Sequence, residues 1–217
     1  MTSKDLASKK GNNVTKPTMT YAEAVPHAVR WAMGLEKIEA LAGRTYDQAV
    51  WGEHGSACNV SGAACVLAGL PEGPPPDDYK AAHPLAAEMM RVPDPRVLPV
   101  LAAAVEGGDV EAACAAARDA GLLIHVSGEQ TVAGGIGRAY GTATQTVTGG
   151  EGVAFDTATQ HVTGGEGYAY DNATVRVSGG TCSVRSEKVT VAEHTGGTIV
   201  WETYKGGAWT ETRRETK

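Results

Sequence analysis

Fifteen residues separate Gly134, Gly149, Gly164 and Gly179, and a second glycine follows each of the four. The blocks between them are GGIGRAYGTATQTVT, GGEGVAFDTATQHVT and GGEGYAYDNATVRVS. A fixed period with the same turn positions means stacked supersecondary units, each supported by its neighbours. Each block holds two short strands. In the third, GYAY is one and ATVRVS the other, with Asp171-Asn172 between them. Alternation puts Ala173, Val175 and Val177 on one side and Thr174, Arg176 and Ser178 on the other. The equivalent inner positions are Ala143, Gln145 and Val147, then Ala158, Gln160 and Val162, so the inner face is small and partly polar.

Two architectures fit. A thin β-solenoid with one block per coil stacks like on like: Tyr140, Phe155 and Tyr170 form one ladder, Ala143, Ala158 and Ala173 another. An antiparallel meander also accepts G-G and D-N as hairpin turns, but it pairs non-equivalent strands and gives no reason for an exact repeat. The solenoid is the favoured expectation. From Thr181 the period breaks, and Trp201 and Trp209 supply large apolar groups that the coils lack. An open solenoid end templates aggregation unless covered, so 181–211 is expected to hold less regular strands and a cap.

Upstream the spacing is helical. Thr20 and Glu23 have capping-box spacing, with Pro26 predicting a kink or a later start. Val25, Val29, Ala32, Leu35, Ile38 and Leu41 then recur every three or four residues, up to Gly43. Residues 61–70 read as a short buried helix, PEGPPPDD (71–78) as a loop, and 79–91 as helical. Val97, Leu98, Leu101 and Val105 mark a further helix. Asp109 caps another through Ala120, and LLIHV (122–126) reads as a strand. The fold class predicted is therefore α+β, with a disordered arm over 1–17, a helical domain over 18–121, a β-repeat domain with its cap over 122–211, and a solvated tail over 212–217.

Composition narrows the function classes. Twenty-eight glycines stand against one phenylalanine in 217 residues, which fits turns and thin strands rather than a thick core. No apolar run is long enough to span a membrane. A net charge of −6 argues against direct contact with a nucleic-acid backbone, which favours a basic face. The first residues carry charge but no apolar segment of the kind that marks secretion. Four widely spread cysteines fit reduced thiols inside a cell.

Two stretches carry a resemblance. The glycine-punctuated run with YDNATVRVSGG is similar to repeats of uncharacterised bacterial and phage proteins. WGEHGSACNVSGAACVLAGL (51–70) resembles a small helical domain of unknown function with a Trp, a Cys-Gly-Thr and a Cys-Ile-Ala-Gly helix; here Ala57-Cys58-Asn59 stands in place of Cys-Gly-Thr. Together they imply a phage or mobile-element origin, and so a place in the cytoplasm of a bacterial host or in the virion.

Candidate sites follow from side-chain chemistry. His54, Cys58, Cys65 and Cys114 include zinc-ligand types, but the C-x2-C knuckle that makes such a site is missing, and neither a metal nor a cofactor is predicted. Glu151 with Glu166, and Asp156 with Asp171, lie one period apart, the arrangement a glycan-acting hydrolase on a solenoid would use; turn carboxylates are the simpler reading. Thr142, Thr144, Thr146 and Thr148 share a strand face, which His161, Arg176 and Ser178 interrupt in later coils. The binding residues predicted are Tyr140, Phe155, Tyr168 and Tyr170, because tyrosine gives large contact area at low entropic cost. The function expected is a non-enzymatic protein-binding accessory factor whose partner is a host complex or a virion protein. Inhibition of a bacterial defence complex, as anti-CRISPR proteins do, is one version; a virion or assembly component and a hydrolase are the alternatives.

Overall fold

The computed structural model describes residues 19–48, 53–54, 57–70, 84–206 and 208–217; the arm expected over 1–17 and the loop expected over 71–78 lie outside them. The chain forms two compact units, Met1–Ala82 and His83–Lys217.

In the first unit, α1 (Tyr21–Ala32) begins where the capping box places it. The Glu23 amide donates to Thr20 Oγ1 at 3.3 Å, and the Thr20 amide donates to Glu23 Oε2 at 2.8 Å. Pro26 sits inside this helix, so the later start is not taken. The helix also stops earlier than the apolar spacing implies: Gly34 adopts a left-handed φ of 72°, and Leu35 is exposed. Asn59 caps α2 (Val60–Leu67) by accepting from the Gly62 amide at 2.8 Å. This helix packs on α1, with Val60, Ala63, Ala64 and Cys65 buried. Strands β1 (Thr45–Tyr46), β2 (Glu53–His54) and β3 (Ala57–Cys58) form a small sheet with β3 in the middle.

Among its described residues, the second unit holds α3 (Pro84–Met89), α4 (Leu98–Glu106), α5 (Val110–Asp119) and ten strands. Its lower limit, near residue 83, differs from the 121–133 boundary that the change of periodicity predicts. The reason is polar as well as apolar. Helix α5 lies against β4 (Leu123–His125), Arg118 donates to the Ile124 carbonyl at 3.3 Å, and Ser127 donates to Glu111 at 2.9 Å. Helices and coils therefore share one unit.

The repeats form a parallel β-solenoid. Strands β4, β6 (Ile136–Ala139), β8 (Glu151–Ala154) and β10 (Glu166–Ala169) stack in one sheet; β5 (Glu129–Val132), β7 (Thr144–Val147) and β9 (Thr159–Val162) stack in the other. The long strands β11 (Thr174–Val184) and β12 (Thr190–Lys205) turn the corner and belong to both. Val147 pairs with Val162 and Val162 with Val177, one coil apart in register. The meander is thereby excluded for the repeats. The last strand, β13 (Ala208–Thr216), runs antiparallel to β12. It takes in most of the stretch that the sequence reads as a tail, because it covers the otherwise open end of the first sheet.

Small and large residues alternate across the interior. The central core collects Ala139, Ala154 and Ala169 from one sheet with Ala143, Ala158, Ala173, Val162 and Val177 from the other. Between the alanines and valines runs a buried glutamine ladder, Gln130, Gln145 and Gln160. The facing positions are glycines for a steric reason: a Cβ on Gly152 would clash with Val147 and Gln145, and one on Gly167 would lie 2.5 Å from Gln160 Oε1. Where the ladder gives way to Val175, the facing residue becomes Cys182, whose thiol lies 3.9 Å from Gln160 Oε1.

Candidate binding surface

The column beside the core alanines carries the rings. Tyr140 and Phe155 stack with centroids 4.9 Å apart and planes 9° from parallel; Phe155 and Tyr170 follow at 5.0 Å and 18°. Coil stacking sets this spacing, since the residues before them, Ala139, Ala154 and Ala169, pair in register. Tyr140 is 1% exposed and Phe155 7%, so both rings are covered. Burial raises the Tyr140 phenol well above the usual range. Tyr168 and Tyr170 remain half-buried.

Those two tyrosines meet residues from the irregular segment. The Arg185 guanidinium lies 4.4 Å from the Tyr168 ring centroid, 4.9 Å from that of Trp209 and 5.8 Å from that of Tyr170. It donates to the Tyr170 hydroxyl at 2.7 Å and to Glu202 Oε2 at 2.6 Å. Trp209 sits edge-on to Tyr170 at 5.9 Å and to Tyr204 at 5.4 Å. Tyr168 donates to Glu166 Oε2 at 2.9 Å, and burial together with that bond pushes its phenol up to about 12. Tyr204, on the β12–β13 hairpin, is 62% exposed. The result is a fixed cation held among aromatic faces, with one aromatic side chain standing out into solvent.

Arg185, Glu202, Tyr204 and Trp209 are absent from the residues that sequence reasoning singles out for binding. One signal was present: one further period of fifteen from Tyr170 lands on Arg185. Glu202 and Tyr204 arrive on β12, beyond the last exact repeat, and Trp209 on the antiparallel return of β13, which no repeat announces.

The other candidates are placed as follows. Glu151 and Glu166 pair in register. Asp156 and Asp171 occupy a coil corner at left-handed φ values of 54° and 52°. Their carboxylates hold the corner below: Asp156 accepts from the Gly141 amide at 3.2 Å and Asp171 from the Asp156 amide at 3.4 Å. Desolvation, with Asp171 nearby, raises the Asp156 carboxyl against the lowering effect of the Gly141 bond. Thr144, Thr159, Thr174 and Thr190 pair in unbroken register along one face. Cys58 and Cys65 belong to the first unit and Cys114 to the second; His54 falls on β2, and its side chain lies outside what the structure describes. All four cysteines are buried. Burial pushes the Cys182 thiol up to about 12 and, with Glu111 adding to it, that of Cys114 to about 11. Among the described residues, no three His, Cys, Asp or Glu side chains come together in a metal-holding group, and no helix is long and apolar enough to cross a membrane. No protein-family model, curated protein or solved structure matches this chain.

Proposed function

We propose that this chain is a non-enzymatic protein-binding accessory factor, and that the aromatic–arginine cluster at the C-terminal end of its solenoid is the docking surface. The observation that carries this reading is Tyr204. It is 62% exposed, yet it is backed by Trp209 at 5.4 Å, which is itself fixed on Arg185. Tyr, Trp and Arg are the residue types that anchor interfaces, and a pre-ordered anchor loses little entropy on binding. The stacked carboxylates support the same reading, since Asp156 and Asp171 are spent on backbone amides and Glu166 on Tyr168. The partner we propose is a host-complex or virion protein, with inhibition of a bacterial defence complex as one version; the likeness of the repeats to those of phage and bacterial proteins supports this. The test is capture of partners from a host lysate by the full chain and by Tyr204→Ala and Tyr204→Glu. A partner retained by the wild type and lost by both variants, with unchanged circular dichroism and melting, supports the reading. A captured set that neither variant alters would overturn it.

A further inference from the structure

The end of β13 is fastened around a corner onto the last strand of the second sheet, and His194 is at the fastening point. Its side chain is 5% exposed. Nε2 lies 3.3 Å from the Gly197 carbonyl oxygen, and Nδ1 lies 3.4 Å from Glu215 Oε1, buried and without a directed hydrogen bond. A neutral imidazole has one N–H and one lone pair. Either neutral tautomer therefore sets a buried lone pair against an oxygen. Only the imidazolium can donate on both sides.

The charged groups around the ring come from three strands. On β13, Arg213 donates to Glu215 Oε2 at 2.9 Å. Just beyond it, Lys217 Nζ lies 3.7 Å from Glu215 Oε1 and donates to the His194 carbonyl at 3.0 Å. The Lys217 amide donates to the Gly197 carbonyl at 3.0 Å. On β12, Glu193 precedes His194 and faces Arg176 of β11 at 3.4 Å; the register neighbour of His194 on β11 is the apolar Val177. Among the described residues, Glu215 is thus the anion set against the ring, and its cationic partners Arg213 and Lys217 come from the C-terminal end of the chain.

We propose that His194 is a proton-operated latch for the closing strand. Protonated, it sets a cationic ring against Glu215 while donating to Gly197 and clamps the end of β13 onto the Gly196-Gly197 corner; deprotonated, it loses that ion pair and the strand end loosens. This device is independent of the binding role proposed above. The test is NMR of the full chain between pH 5 and pH 8, the range in which histidine titrates, following the His194 ring protons and the exchange protection of the Thr216 and Lys217 amides. After correction for the intrinsic pH dependence of exchange, protection of the Lys217 amide is expected to rise about fivefold on acidification, as expected for gaining a partly buried ion pair. Its midpoint should match that of the His194 ring. The rise should vanish in His194→Gln and shrink in Glu215→Gln, the second variant serving if the first does not fold. Protection that stays flat, falls on acidification, or follows a midpoint other than that of His194 would overturn the proposal.

Discussion

Gln160 donates its side-chain amide to the side-chain carbonyl of Gln145, one coil away, at 2.8 Å, and Gln145 donates in turn to Gln130 at 2.6 Å. The three side chains run through an interior lined mainly by Ala, Val and Gly, where each polar group needs a partner. Gln145 is the middle rung, so Gln145→Leu removes the acceptor of one buried amide and the donor to another buried carbonyl. Leaving two buried groups unpaired is expected to cost about 2–5 kcal/mol. Urea unfolding of the variant checks this; a loss below about 1 kcal/mol would mean that the ladder adds nothing beyond filling space.

Gly134 and Gly149 hold the same place in consecutive repeats and should respond differently to alanine. A Cβ on Gly149 would lie 2.7 Å from the Ala133 carbonyl oxygen, whereas one on Gly134 meets nothing within 4 Å. Gly134 has no coil beneath it. Gly149→Ala is expected to cost about 1–3 kcal/mol by forced displacement of backbone, and Gly134→Ala to stay within about 0.5 kcal/mol of wild type. Equal losses in thermal unfolding would refute stacking as the reason for the glycine pairs.

The period, the parallel register and the small inner face were legible because each is a property of one repeat copied upward. The glutamine ladder was visible only in half: the sequence shows Gln145 and Gln160 facing inward, but the glycines that make room for them lie on the other sheet. The compact units divide elsewhere than the change of pattern, because periodicity reports local structure, while Arg118, Glu111 and Ser127 join a helix to a strand across that change. Half of the aromatic cluster was legible. Tyr168 and Tyr170 fall in the repeats, whereas Trp209 reaches Arg185 through a strand that runs the opposite way and carries no period.

Asp156 is strained at neutral pH. Its carboxyl is raised by desolvation and by Asp171, so the folded state holds a proton there more tightly than the unfolded chain does. That contribution is present at low pH and is lost as pH rises through the folded value, leaving an ionised, partly buried group above it. Asn keeps an acceptor for the Gly141 amide, tolerates the left-handed φ of 54° and does not ionise. Asp156→Asn is expected to raise the urea midpoint at pH 7 and to leave it near wild type at pH 3. A variant less stable at pH 7 than at pH 3, relative to wild type, would reverse the assignment.

Arg185 and Glu202 are 18% and 17% exposed in their side chains, and the guanidinium also bonds Tyr170 and packs on two further rings. Arg185→Ala leaves Glu202 without its 2.6 Å partner and is expected to cost about 2–4 kcal/mol. Arg185→Lys should recover little, since a point charge lacks the planar face that stacks on Tyr168 and Trp209. Full recovery by lysine, measured by denaturant unfolding, would reduce the cluster to a simple ion pair.

Truncation after Gly180 tests which elements depend on the closing strands. The cut removes Cys182, Val184 and Ile199 from the core together with Trp201, which packs against it, and it takes away both β12 and β13. It exposes the hydrogen-bonding edge of β10, which pairs with the lost half of β11. Coils lined by Ala and Val bury little area each, at about 25 cal/mol per Å², and repeats draw their stability from neighbours and caps. The strands are therefore expected to melt or aggregate. Because α5 is tied to β4 through Arg118 and to the following turn through Ser127, its amides should lose exchange protection with them, while α1 and α2, in the other unit, keep theirs. If α5 kept wild-type protection while the strands melted, the helices and the coils would be separate cooperative units, and the boundary near 121–133 would hold for folding even though packing places it near residue 83.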